Sequence, residues 1–162
     1  TEDLHAVSFV DENYGMAVGK NDAILYTSDG ETWEAATATG GGDDLYTVAP
    51  SGNFWWIGTS GGEMYYSRDE GTTWTARTFS GSGTGSIDDI AWANELVGYA
   101  VYNSAITVGS ILVTINGGYS WKAITTPSND GLSALSVVDT NTVYAVGDTE
   151  SGTAVIIKVT WD

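Results

Sequence analysis

One word is written three times along the chain, each time ending in tryptophan. The copies are Thr27-Ser28-Asp29-Gly30-Glu31-Thr32-Trp33, Ser67-Arg68-Asp69-Glu70-Gly71-Thr72-Thr73-Trp74 and Thr114-Ile115-Asn116-Gly117-Gly118-Tyr119-Ser120-Trp121. A fourth opens at Thr160-Trp161-Asp162, and the Asp or Asn positions lie 40, 47 and 46 residues apart. A period in this range means that one supersecondary unit recurs and buries its faces against copies of itself.

Other landmarks hold the same phase. Each unit opens on a strand-like word: Leu4 to Phe9, Leu45 to Ala49, Ile87 to Trp92 and Leu132 to Val137. A second word follows at Gly15 to Gly19, Trp55 to Gly58, Gly98 to Val101 and Val143 to Gly147. A third leads into each Asp or Asn turn, and a fourth begins at each Trp, as in Trp33 to Thr37 and Trp74 to Thr78. These words are rich in β-branched and aromatic residues and are bounded by Gly, Asn, Asp and Ser, which marks strands and turns. Sustained helical spacing is missing, so almost no helix is expected.

Four short strands per unit of about 40 residues predict a β-propeller blade. The expected fold is all-β, a small propeller of four blades, with the units at 4–44, 45–86, 87–131 and 132–162. Three blades of four strands and a last, incomplete one of three give about 15 strands. The Asp-box turns join the third strand of a blade to the fourth. Closure into a compact four-bladed ring is the preferred expectation, and an arc completed by another chain or by further sequence is the alternative.

The repeated word resembles the Asp-box, or BNR repeat, Ser-x-Asp-x-Gly-x-Thr-Trp. Ser67, Asp69, Gly71, Thr73 and Trp74 match every specified position. Thr114, Asn116, Gly118, Ser120 and Trp121 match with three replacements, and Thr27, Asp29, Gly30, Thr32 and Trp33 form a copy one residue shorter. Thr160 and Asp162 begin the fourth. The resemblance implies a structural turn, in which the carboxylate accepts backbone N–H groups and the glycine takes a backbone angle other residues avoid.

Asp-boxes also occur in sialidases, which clamp a substrate carboxylate with three arginines. Only Arg68 and Arg77 are present here, so a sialidase is excluded. Xyloglucanases place paired Asp residues between two large propellers, and this chain is too short for that arrangement. The acid pairs Asp43-Asp44 and Asp88-Asp89 read either as solvated loop residues or as a catalytic dyad. The photosystem II stability/assembly factor family has a similar repeat grammar, but its larger seven-bladed ring carries an arginine patch that this chain lacks.

Composition narrows the chemistry further. Five basic residues against 21 acidic ones leave a net charge of −16. No basic patch can form, which excludes nucleic acid and disfavours anionic membranes. Cysteine is absent and His5 is the only histidine, so neither a His- or Cys-based metal cluster nor a Ser-His-Asp triad can be assembled. No metal site, cofactor or catalytic residue is expected, and neither is membrane insertion, because no apolar run is long enough. The 13 Asp and 8 Glu resemble the acidic surfaces of proteins from high-salt settings.

The aromatics are the one positive lead. Trp55, Trp56, Tyr99 and Tyr102 could either fill the seams between blades or, with Phe54, Tyr119 and Trp161, form an exposed platform for sugar stacking or protein contact. These features together point to a non-enzymatic module displayed outward, a virion decoration or accessory protein or a cell-surface adhesin. Its expected partners are capsid or tail proteins, further copies of itself as a homo-oligomer, or a glycan, and its expected location is extracellular or on a virion surface. The alternatives are a glycan-acting hydrolase or lectin and an intracellular, cytoplasmic assembly factor.

Overall fold

The computed structural model describes residues 2–80, 82–104, 109–124, 131–148 and 152–160. Four antiparallel sheets follow one another along the chain. The first holds β1 (Leu4–Phe9), β2 (Gly15–Gly19), β3 (Ile24–Thr27) and β4 (Glu34–Ala35). The second holds β5 (Leu45–Ser51), β6 (Phe54–Thr59), β7 (Met64–Ser67) and β8 (Thr75–Arg77). β9 (Ser86–Trp92), β10 (Gly98–Asn103), β11 (Gly109–Thr114) and β12 (Lys122–Ile124) build the third. The fourth has three strands, β13 (Gly131–Asp139), β14 (Thr142–Asp148) and β15 (Ala154–Thr160). Each sheet is an up-and-down meander, and the one helical element among the described residues is a short 3-10 turn at Lys20–Asp22. This is a small four-bladed propeller of 15 strands, as the repeat predicts. In the three four-stranded blades the fourth strand begins one residue after the repeated Trp.

The strands alternate between two buried faces, one toward the preceding blade and one toward the next. Met16, Val18 and Ile24 of the first blade meet Leu45, Val48, Trp55 and Ile57 of the second. Trp56 and Met64 meet Ile87, Ile90, Ala100, Leu112 and Trp121 across the next seam. Tyr99, Val101, Ile111 and Val113 meet Leu132, Val143, Ala145 and Ile157 across the third. Burying each large apolar side chain contributes about 1.5–3 kcal/mol, so three seams carry most of the stability.

The innermost strands pack in order, β1 on β5, β5 on β9 and β9 on β13. Among the described residues, the first and fourth blades share no such seam. The described residues thus give no strand-to-strand seam that would close the compact ring expected from the sequence.

The Asp-box glycines have a second role beyond the turn. Gly118 has φ +77°, and a Cβ there would run into the indole of Trp56 in the preceding blade. Gly71, at φ +85°, sits in the same way against Met16. The bare backbone thus lets each box close onto the neighbouring blade. Trp74 Nε1 donates to Thr37 O at 2.9 Å and fastens the second box to the first blade.

Candidate functional site

The three boxes share one hydrogen-bond scheme. Asp69 Oδ1 accepts from Ser67 Oγ at 2.8 Å and Thr73 N at 2.8 Å, while Ser67 Oγ accepts from Gly71 N at 2.9 Å. Asn116 Oδ1 accepts from Thr114 Oγ1 at 2.9 Å and Ser120 N at 3.0 Å, and Thr114 Oγ1 accepts from Gly118 N at 3.0 Å. In the shorter copy Asp29 Oδ1 accepts from Glu31 N and Thr32 N at 2.9 and 2.7 Å, and Gly30 N donates to Thr27 Oγ1 at 2.9 Å. Those amides pull the Asp29 carboxyl down to about 2. Bonds from Thr73 lower Asp69 in the same direction. Trp74 packs into the seam between the first and second blades and Trp121 into the seam between the second and third, whereas Trp33 is exposed. Trp161 and Asp162 lie outside the described residues, and Thr160 ends β15.

The aromatic platform requires correction. Trp55, Trp56, Tyr99 and Tyr102 are all buried. They fill seams because strand alternation points each one at a neighbouring blade, which removes far more apolar surface from water than a solvent-facing platform would. Of the proposed companions, Tyr119 is exposed and Phe54 half-buried, and Trp161 lies outside the described residues.

Asp88 and Asp89 are strand residues of β9 rather than loop residues, and they face different partners. Asp89 Oδ2 accepts from Leu135 N at 2.8 Å and Oδ1 from Thr47 Oγ1 at 3.3 Å, joining the second, third and fourth blades. Burial raises its carboxyl above the usual range. Asp88 accepts from Asn103 Nδ2. Asp44 Oδ1 accepts from Asn21 N at 2.9 Å, and Asp43 O accepts from Asp22 N at 2.9 Å. No group of three or more metal-ligating side chains occurs among the described residues.

Two places collect side chains that the fold does not consume. The first is the axial opening. Each innermost strand carries a register shift near its start, between Leu4 and Ala6, Leu45 and Thr47, Ile87 and Asp89, and Leu132 and Ala134. A bulge leaves one residue unpaired and re-aims it. The four unpaired residues, His5, Tyr46, Asp88 and Ser133, line a shared opening of about 340 Å³. His5 Nδ1 also lies 3.0 Å from Leu45 O and its ring meets Tyr46 edge-on.

The second place is a cleft of about 340 Å³ at the other end of the strands, where the second blade meets the third. Its walls are Phe54, Trp56 and Tyr66 on one side and Leu96, Asn116 and Tyr119 on the other, and both arginines of the chain enter it. The Arg68 guanidinium stands 5.0 Å over Phe54 and 5.4 Å over Tyr66. Arg77 stands 4.8 Å over Tyr66 and 5.5 Å over Tyr119. Tyr66 is thus flanked by two cations. Neither forms an ion pair, since the one ion pair among the described residues joins Lys20 to Asp3 at 2.6 Å. Arg77 Nε is buried without a hydrogen-bond partner, and Glu95 lines the rim.

Two unpaired guanidiniums held by stacking in a protein of charge −16 form its one concentrated positive site. Planar guanidinium forks suit a carboxylate, and the aromatic walls suit an apolar side chain beside it. Sequence reading counted Arg68 and Arg77 as too few for a sialidase and for an arginine patch, whereas the structure brings both into one cleft. Their convergence depends on the seam, and the signal in hand was that the two arginines fall in and just after one box.

A family model described as photosynthesis system II assembly factor YCF48 matches residues 1–151. No curated protein sequence matches significantly. Among solved structures, YCF48 bound to D1 peptide superposes with a TM-score of 0.72 at 24% identity, over 94% of this chain and 52% of that one. YCF48 from Cyanidioschyzon merolae gives 0.73 at 15% identity, over 98% and 51%. A GH74 enzyme from Niastella koreensis gives 0.73 at 19% identity, over 97% and 28%, a likeness of fold alone. The chain spans about half the length of the YCF48 structures it matches.

The family match overturns the outward-displayed virion or adhesion module, and with it the extracellular or virion location. Those expectations rested on charge and on absent catalytic groups, which say little about partners. With the match running over residues 1–151 of 162, the chain belongs to the BNR-type YCF48 family of photosystem II assembly factors.

Proposed function

We propose that this chain is a non-catalytic assembly-factor module that holds an extended peptide of a photosystem subunit, and that it works inside the cell. The observation that carries the reading is the pair of unpaired arginines stacked in the aromatic cleft between the second and third blades. Family membership supports the assembly role, and the D1 peptide bound to a YCF48 relative supports a peptide as ligand. A peptide carboxylate would sit between Arg68 and Arg77, with a neighbouring apolar side chain against Phe54 and Tyr66. The Asp-box residues act as structural turns that fix the cleft walls, because Arg68 lies within the second box and Asn116 within the third.

Fluorescence anisotropy with labelled peptides tiling D1 tests this directly. Binding by a carboxylate-bearing segment is expected, weakened at least tenfold by Arg77→Gln and by raised salt. If no D1 segment binds, the reading fails. If one binds and the double change Arg68→Gln, Arg77→Gln leaves affinity unaltered, the cleft is not its site.

A further inference from the structure

The bulges of the innermost strands each leave one residue out of register, and the residues beside them are tied across the seams. Thr47 Oγ1 donates to Asp89 Oδ1 at 3.3 Å and Leu135 N donates to Asp89 Oδ2 at 2.8 Å, which fixes β5, β9 and β13 to one another. Asn103 Oδ1 accepts from Leu132 N at 2.9 Å, and Asn103 Nδ2 donates to Asp88. The Asp88 carboxylate is therefore held in place at the axial opening instead of swinging into solvent. Tyr46 lines the opening from the adjacent blade, and the His5 ring stands 5.7 Å from it, centroid to centroid.

What the opening offers is mostly acceptors. Leu45 O can only accept, so His5 Nδ1 carries the proton of their 3.0 Å contact, and Nε2 of the neutral ring is left as an acceptor. A carboxylate has about four acceptor positions, and among the described residues Asn103 fills one on Asp88. Tyr46 adds an exposed ring and a hydroxyl, and Ser133 adds a second hydroxyl. The surrounding loops deepen the negative potential. Glu2 and Asp3 lead into β1, Asp43 and Asp44 lead into β5, and Lys20 at the same end is held by Asp3 at 2.6 Å. Both arginines point into the cleft at the opposite end of the strands.

We propose that the axial opening is a second binding site, and that it takes a primary ammonium on a slender alkyl stem. An ammonium carries three donors and a compact charge, which suits single acceptors converging from different blades. A guanidinium fork needs both oxygens of a carboxylate, and Asn103 already engages one of those on Asp88. A metal ion would find only His5 and Asp88 among its usual ligands in the lining. Tyr46 favours the same ligand, since an aromatic ring both attracts a cation and packs an alkyl stem. The group reaches the site either as a free amine or as the lysine side chain of a protein segment.

His5 is the only histidine, so its imidazole resonances report on the opening directly. Cadaverine serves as the free amine, N-acetyl-lysine methylamide as the side-chain source and n-pentanol as the uncharged control. Salt of about 0.15 M limits the reach of the net charge to about 8 Å. A saturable shift of the His5 signals is expected with an amine and none with pentanol, and the tighter amine identifies the source. Asp88→Asn keeps an acceptor for Asn103 and should weaken binding about tenfold. Tyr46→Ala should weaken it about threefold. Glu12→Gln removes one charge in the β1–β2 turn, at the far end of the strands, and should change nothing. The absence of a saturable shift, or equal weakening by Asp88→Asn and Glu12→Gln, overturns the proposal. The double change Arg68→Gln, Arg77→Gln should leave amine binding intact, so this site and the peptide cleft can each fail without the other.

Discussion

The seam between the second and third blades and the open faces of the first and fourth are built from the same repeat positions. In the seam, Trp56, Trp92 and Trp121 lie within 5.3 to 5.9 Å of one another, centroid to centroid. Two of their indole N–H groups find no acceptor, a cost the apolar packing offsets. At the open ends, equivalent side chains face water. Burial in this fold is therefore a property of having a neighbour, not of a residue's identity, and stability should be distributed along the array seam by seam.

The largest expected effect lies in the seam. Trp56→Ala should cost about 3–5 kcal/mol, measured by urea denaturation, because its ring touches Tyr66, Trp92 and Trp121 together. A loss below about 1 kcal/mol would show that the seam is not the main source of stability. A matched pair sharpens the contrast. Ile111→Ala should cost about 2–5 kcal/mol, and Ile156→Ala, the same position one blade later but 73% exposed, should stay within about 0.5 kcal/mol. Equal losses at the two positions would erase the distinction between seam and open face.

The smallest effect compares the turns. Asp29 has a folded-state value of about 2, held down by the Thr32 and Glu31 amides, against about 3.9 for an unfolded aspartate. Its contribution is present above pH ~4 and lost as pH falls toward 2. Asn116 makes the equivalent turn with nothing to titrate. Asp29→Asn should thus flatten the decline in denaturation midpoint between pH 5 and pH 2. Asp89 acts with the opposite sign, since burial raises its carboxyl and acidification relieves the buried charge. A steeper decline in the Asp29 variant would contradict the assignment.

Blade number, strand order and the Asp-box turns are legible in the sequence because each repeats in phase. The destinations of Trp56 and Tyr99 are less so, since alternation tells only that a side chain leaves one face of its strand, not whether a blade waits there. Arg68 and Arg77 are nine residues apart on successive elements, and only the seam brings their guanidiniums onto one tyrosine. Asp22 was silent too. It is buried with four donors from Thr39, Gly40 and Gly42 on its carboxylate, and nothing in its local sequence marks it. The family was among the readings the repeat supported, but charge and absent chemistry drew the functional expectation elsewhere.

The four bulges at the axial opening carry a consequence for how such a protein can change. Beside each bulge stands Leu4, Leu45, Ile87 or Leu132, almost one residue type at four places. The bulged residues themselves are His5, Tyr46, Asp88 and Ser133, four types with nothing in common. Adjacent residues on one strand thus answer to different demands, one to the fit of neighbouring blades and the other to the opening and the few polar contacts around it. Mutation can rewrite the opening one blade at a time while the scaffold beneath it stays constant.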